Sequence, residues 1–172
     1  ETDSKVGEET LYTLNFKNGK KFGPYQWVSP CFSRENKLIA IRYKDKGKVY
    51  FKNLQTNKLV GPYDQIYVQS TENYNITYEC IEGSQHYLFH NEEKYGPFYE
   101  VSCPYSYQKS DPFYFTFQND KEEWQVFYKK EIPTLFTGNP AVTIFDNEKI
   151  LINGETKIEG STRKVFMLDD KS

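Results

Sequence analysis

One methionine, two tryptophans, two histidines and three cysteines in 172 residues leave little material for several kinds of chemistry. His86 and His90 stand four apart on a predicted strand, on one side but too far apart along it to share a metal comfortably. There is no Gly-x-Ser-x-Gly elbow, glycine-rich phosphate loop or Cys-x-x-Cys pair, and neither histidine comes with a motif-placed serine or cysteine. The chain therefore reads as a non-enzyme that uses no cofactor and no metal. Cys31, Cys80 and Cys103 are odd in number and widely spaced, unlike a small disulfide scaffold, and read as buried small apolar residues. Cys31 and Cys103 hold equivalent places two repeat units apart, so a bridge between them is not expected.

Charge of one sign is also lacking. The 22 basic and 24 acidic residues are interleaved, with a net charge of −2. Nothing resembles the basic stripe that a phosphate backbone requires, so nucleic acid is not an expected partner. No apolar run approaches the roughly 20 residues of a membrane-spanning helix and no lipidation signal is present, so membrane insertion is not expected. Glu1 rather than methionine stands first, which suggests a processed product or an excised domain and leaves the compartment open.

What the chain does have is a phrase written three times: Lys21-Phe22-Gly23-Pro24-Tyr25, Lys58-Leu59-Val60-Gly61-Pro62-Tyr63 and Lys94-Tyr95-Gly96-Pro97-Phe98. Recurrence every 35–38 residues marks a chain assembled from like supersecondary units. Lys130-Glu131-Ile132-Pro133 and Lys157-Ile158-Glu159-Gly160 read as worn fourth and fifth copies. Each phrase is followed by β-branched and aromatic runs. In the first unit these are Trp27–Ser29, Leu38–Tyr43 and Val49–Asn53, which is strand chemistry. The worn fourth unit reads Thr134–Phe136, Ala141–Phe145 and Ile150–Asn153. Gly, Asn and Asp at the joints suit tight antiparallel turns. Gly-Pro suits a chain leaving one sheet edge for the next sheet.

Four-stranded antiparallel units of about 40 residues in series are the sequence pattern of propeller blades. Residues 1–10 read as a flexible polar segment, and 11–172 as one propeller domain. Leu11–Gly19 matches the end of a blade and Arg163–Leu168 its beginning. The expectation is thus an all-β, five-bladed propeller with one blade closed by both chain termini. Val, Ile, Leu and Phe supply 41 of the 172 residues, enough for an ordered core.

Such a scaffold has two rims. Long loops between first and second strands carry Phe32, Arg34, Tyr105, Tyr107 and Lys109, residue types that supply contact energy at interfaces. They are the candidate site for a protein partner, the leading functional reading. The other rim carries Tyr25, Tyr63 and Phe98 at equivalent positions, where a ring of aromatics would suit stacking on sugars. Glycan binding is therefore the second reading, although the same repetition follows if each ring packs across a blade junction. Asp45, Asp120 and Asp146 occupy equivalent hairpins and support a third, glycoside-acting reading, though aspartate is also simply a good turn residue. The sequon Asn75-Ile76-Thr77 falls on a predicted strand and is assigned no function.

The Lys-x-x-Gly-Pro-Tyr units, each followed by a short Val/Ile strand, resemble bacterial β-propeller repeat domains. In their Gly/aromatic punctuation they are loosely similar to WG-type repeats. The proposed architecture also resembles five-bladed lectins, which bind sugars between blades. The resemblance covers residues 11–168 and implies a non-catalytic recognition scaffold.

Overall fold

Strand follows strand along the described residues, which in the computed structural model are 10–33, 35–72, 75–103, 113–145 and 149–169. No helix occurs among them. Five antiparallel sheets succeed one another in chain order. The first is a hairpin of β1 (Tyr12–Asn15) and β2 (Lys21–Tyr25). The second contains β3 (Trp27–Phe32), β4 (Leu38–Asp45), β5 (Lys48–Asn53) and β6 (Leu59–Tyr63). The third contains β7 (Gln65–Glu72), β8 (Asn75–Glu82), β9 (Gln85–His90) and β10 (Glu93–Phe98). The fourth runs through β11 (Glu100–Ser102), β12 (Tyr114–Gln118), β13 (Trp124–Tyr128) and β14 (Lys130–Phe136). The fifth has β15 (Ala141–Ile144), β16 (Ile150–Ile158) and β17 (Ser161–Asp169). Within each sheet every strand pairs with its sequence neighbour, as the hairpin punctuation predicts.

Alternation builds the core. In β5, Val49, Phe51 and Asn53 are buried while their neighbours are only partly covered, and β13 buries Trp124, Val126 and Tyr128 in the same rhythm. The buried faces meet sheet against sheet, so the core forms in instalments between neighbours. Ile39, Val49 and Phe51 of the second sheet pack with Ile66, Ile76 and Tyr78 of the third. Leu88 of the third packs with Val101, Phe115 and Phe117 of the fourth. Trp124, Val126 and Phe136 of the fourth pack with Ile150 and Ile152 of the fifth. Each fully buried side chain of this size stabilises the fold by about 1.5–3 kcal/mol.

The repeated Gly-Pro does not lie between sheets as the sequence suggests; it sits inside the last strand of its sheet. Val49 pairs with Tyr63 and Phe51 with Val60, so Tyr50 alone opposes both Gly61 and Pro62. Thr13 likewise opposes Gly23-Pro24, and Tyr87 opposes Gly96-Pro97. All three Gly-Pro bonds are cis. Two residues against one is a β-bulge, and the extra residue resets the alternation. Val60 and Tyr63, three apart, both end up on the face shared by Phe51 and Val49, and both are buried. The turn into the next sheet is then a single residue: Gln26, Asp64 or Tyr99.

Three assignments near the C-terminus need correction. Thr134–Phe136 is the end of β14, not the first strand of a new unit; without a glycine, Pro133, Thr134 and Leu135 together oppose Gln125 in a longer bulge. Lys157–Gly160 is not a worn Gly-Pro turn. Glu159 (φ 51°) and Gly160 (φ 79°) form the two-residue loop of a hairpin that brings Ser161 opposite Ile158. Nine successive pairs then hold β17 against β16. Arg163–Leu168 is therefore committed to β16, and no strand pairing among the described residues joins it to β1 or β2. A two-residue loop closes at far lower entropic cost than the joining of distant tails. The expected blade closed by both termini is not formed, and no closed ring of sheets is present among the described residues.

Candidate functional site

The bulges aim Tyr25, Tyr63 and Phe98 at the following sheet. Tyr25 stacks on Tyr43 with ring centroids 4.0 Å apart, and Tyr43 stacks in turn on Tyr50 at 5.2 Å. Tyr63 lies 5.9 Å from Tyr87 and Phe98 lies 4.6 Å from Phe117. Tyr63 is only 9% exposed, and burial pushes its hydroxyl pKa up to about 12. Each of the three rings assigned to sugar stacking thus meets another ring across a sheet junction.

The residue after each ring decides whether its junction is fastened. Gln26 Oε1 accepts the Gly47 amide at 2.7 Å, holding the β4–β5 hairpin. Asp64 does more: Oδ2 accepts the Gly83 amide at 2.8 Å and Oδ1 accepts from Lys48 Nζ at 2.6 Å, which ties the second sheet to the third. The Gly83 amide and then the Lys48 ammonium hold the Asp64 carboxyl below its ordinary pKa. At the third–fourth junction the equivalent residue is Tyr99, which is 53% exposed and has no side-chain partner among the described residues. The neighbouring hairpin closes on itself instead. Asn119 Oδ1 accepts the amides of Lys121 at 2.9 Å and Glu123 at 3.0 Å.

The unfastened junction is open. A groove of about 660 Å³ runs between the sheets, walled by Tyr95, Phe98, Phe117 and Phe127, with the amides of Gln85 and Asn119 and the carboxylates of Asp120 and Glu131 at its edges. Among the described residues, no lysine or arginine lines its walls. Neither carboxylate has a side-chain partner among the described residues.

Register identifies what Glu131 replaces. Lys94 pairs with Phe89 across β9–β10, and Glu131 pairs with Phe127 at the same place across β13–β14. At the second–third junction the Lys94 ammonium lies 3.8 Å from the Tyr87 ring centroid and 5.9 Å from those of Tyr63 and Phe89. Three rings there surround a cation the chain supplies itself. One junction further on, rings remain at the Tyr63 and Phe89 positions as Phe98 and Phe127, but a carboxylate stands where the cation was.

Of the loop-rim candidates, Phe32 ends β3 and is 48% exposed. Arg34, Tyr105, Tyr107 and Lys109 lie outside the described residues, as does Asp146. Asp45 and Asp120 belong to the second and fourth sheets, with the third between them. His86 Nδ1 pairs with Glu79 at 2.6 Å. The His90 ring stacks on Phe113 at 3.8 Å with its Nδ1 on Thr77 Oγ1 at 2.8 Å, and burial lowers its pKa. Cys80 is fully buried and Cys31 and Cys103 partly so; none of the three is in a disulfide, and desolvation raises the pKa of each, that of Cys103 to about 12. Among the described residues no three His, Cys, Asp or Glu side chains converge on a metal-sized site, and no helix is long and apolar enough to cross a membrane. Tyr99, Phe127 and Glu131 are not singled out by the sequence reading; aligning the units shows Gln26 and Asp64 giving way to Tyr99, but it sets Lys130 against Lys94, and only the strand register puts Glu131 there. No family model, curated protein or solved structure matches the chain.

Proposed function

We propose that the chain is a non-catalytic recognition module, a propeller-type series of blades that binds a segment of a protein partner in the groove between its third and fourth sheets. Three complete four-stranded units in meander order, each packed on the next, support the propeller-type reading. The observation that carries the functional reading is the replacement of a junction-fastening side chain by exposed Tyr99 beside an open aromatic groove. Tyrosine is a residue type that concentrates binding energy at interfaces, and loops or grooves on a rigid scaffold are where recognition is commonly placed. The loop rim with Phe32, Arg34, Tyr105, Tyr107 and Lys109 offers a second surface for the same kind of partner. A glycan remains the alternative occupant of the groove, favoured by the Gln85 side-chain amide beside the rings.

The two readings separate cleanly by experiment. A random dodecapeptide library panned on the immobilised protein should yield binders whose affinity drops in the Tyr99→Ala variant, while a glycan array stays blank. Glycan signals abolished by Tyr99→Ala, with no groove-dependent peptide, would replace the protein reading with the lectin one.

A further inference from the structure

We infer that the groove between the third and fourth sheets takes the cationic side chain of a lysine- or arginine-bearing peptide segment, seated as Lys94 is seated one junction earlier. This rests on the proposed reading of the groove as a partner site and adds the chemistry of the occupant. Lys94 shows what two of these ring positions accept: its ammonium lies 5.9 Å from the Tyr63 and Phe89 centroids as well as 3.8 Å from that of Tyr87, whose counterpart by register in the fourth sheet is Gln125. Ring faces carry partial negative charge and attract cations, most strongly where water is partly excluded.

At the next junction the rings Phe98 and Phe127 occupy the places of Tyr63 and Phe89, while the internal cation is gone and Glu131 stands in its position. The substitution does two things at once. It vacates the space and it inverts the charge that an incoming group meets. Asp120 adds a second carboxylate without a side-chain partner, and among the described residues no basic side chain lines the walls to oppose a cation. An anionic peptide would meet two like charges, and a neutral one would gain the rings but leave both carboxylates unanswered. Charge complementarity thus selects a basic segment over an acidic or purely apolar one. The aliphatic stem of lysine or arginine lies along aromatic walls while the charged head reaches the rim, which suits a groove with apolar sides and acidic edges.

The test uses the peptides obtained by panning a random dodecapeptide library on the protein, synthesised and titrated by fluorescence anisotropy at low salt. Groove-dependent binders are expected to contain lysine or arginine. Replacing that residue with norleucine or citrulline should weaken binding about tenfold or more, the combined effect of cation–π attraction and an ion pair. Glu131→Lys should weaken the parent peptides to the same degree and leave the norleucine peptides unchanged. Because the norleucine comparison alters only the peptide, it stands even if Glu131→Lys fails to fold. Peptides that depend on Tyr99 but need no basic residue would overturn the inference and leave the protein-binding reading standing. An absence of any groove-dependent peptide would overturn both.

Discussion

Alanine at Gly61 perturbs the feature on which the repeat depends. Gly61 has φ +127°, a region that residues with a side chain rarely adopt, and a Cβ there would lie 2.8 Å from Tyr50 Cδ1 and 2.9 Å from the Val49 carbonyl oxygen. Backbone strain of this kind costs about 1–3 kcal/mol, and forcing an extra carbon into a packed site costs about 1–3 kcal/mol more. The Val49 oxygen belongs to the paired backbone of β5 and cannot rotate away. A total of roughly 2–6 kcal/mol is a large fraction of a typical stability of about 5–15 kcal/mol. In a domain of this size it corresponds to a fall in Tm of roughly 5–20 °C. Gly138→Ala is the control, because open space surrounds that position and its φ is not in the left-handed region. Thermal and urea unfolding followed by circular dichroism should show Gly61→Ala strongly destabilised and Gly138→Ala close to the parent. Equal stability of the two variants would refute the claim that the bulge admits only glycine.

Phe51→Ala should cost about 3–5 kcal/mol in urea unfolding, since the ring is 1% exposed and stacks on Tyr78 at 4.3 Å; a loss below about 1 kcal/mol would mean that the second–third junction is not a packed core. Asp64 gives a pH signature. Its folded pKa is lowered, so its stabilising contribution is complete above the ordinary carboxylate range and disappears as pH falls through the lowered value. The stability gap between the parent and Asp64→Asn should therefore be widest near neutrality and close in acid, as read by urea midpoints across pH. A gap that persists unchanged into strong acid would contradict the Gly83 and Lys48 contacts.

The repeat made the second and third sheets legible almost strand by strand, because Gly-Pro, the alternating runs and the Asn/Gly joints are local signals. Burial of Tyr63 against Tyr87 also agrees with the packing alternative that accompanied the sugar-stacking idea. The exact seat of Gly-Pro was not legible: a bulge within β6 and a turn after it differ by a few residues of register, which only the partner strand fixes. The C-terminal misassignment has a similar origin. Arg163–Leu168 has the composition of any strand, and Glu159-Gly160 decides its partner through two positive φ angles that composition alone does not reveal. The groove was hidden for another reason. It arises from two departures from the repeat, Tyr99 and Glu131, and a search for what recurs passes over what fails to recur.

Lys94→Glu puts the central claim to its most direct test. If ring enclosures at the sheet junctions are cation seats, filled internally at the second–third junction and left vacant at the third–fourth, removing Lys94 should create a second vacant seat. Pentylammonium titrated into the isotope-labelled protein, with pentanol as the uncharged control, should shift amides around Phe127 and Glu131 in the parent. In the variant it should shift those around Tyr63, Tyr87 and Phe89 as well. Equal shifts with pentanol, or no new site in a folded Lys94→Glu protein, would contradict the account.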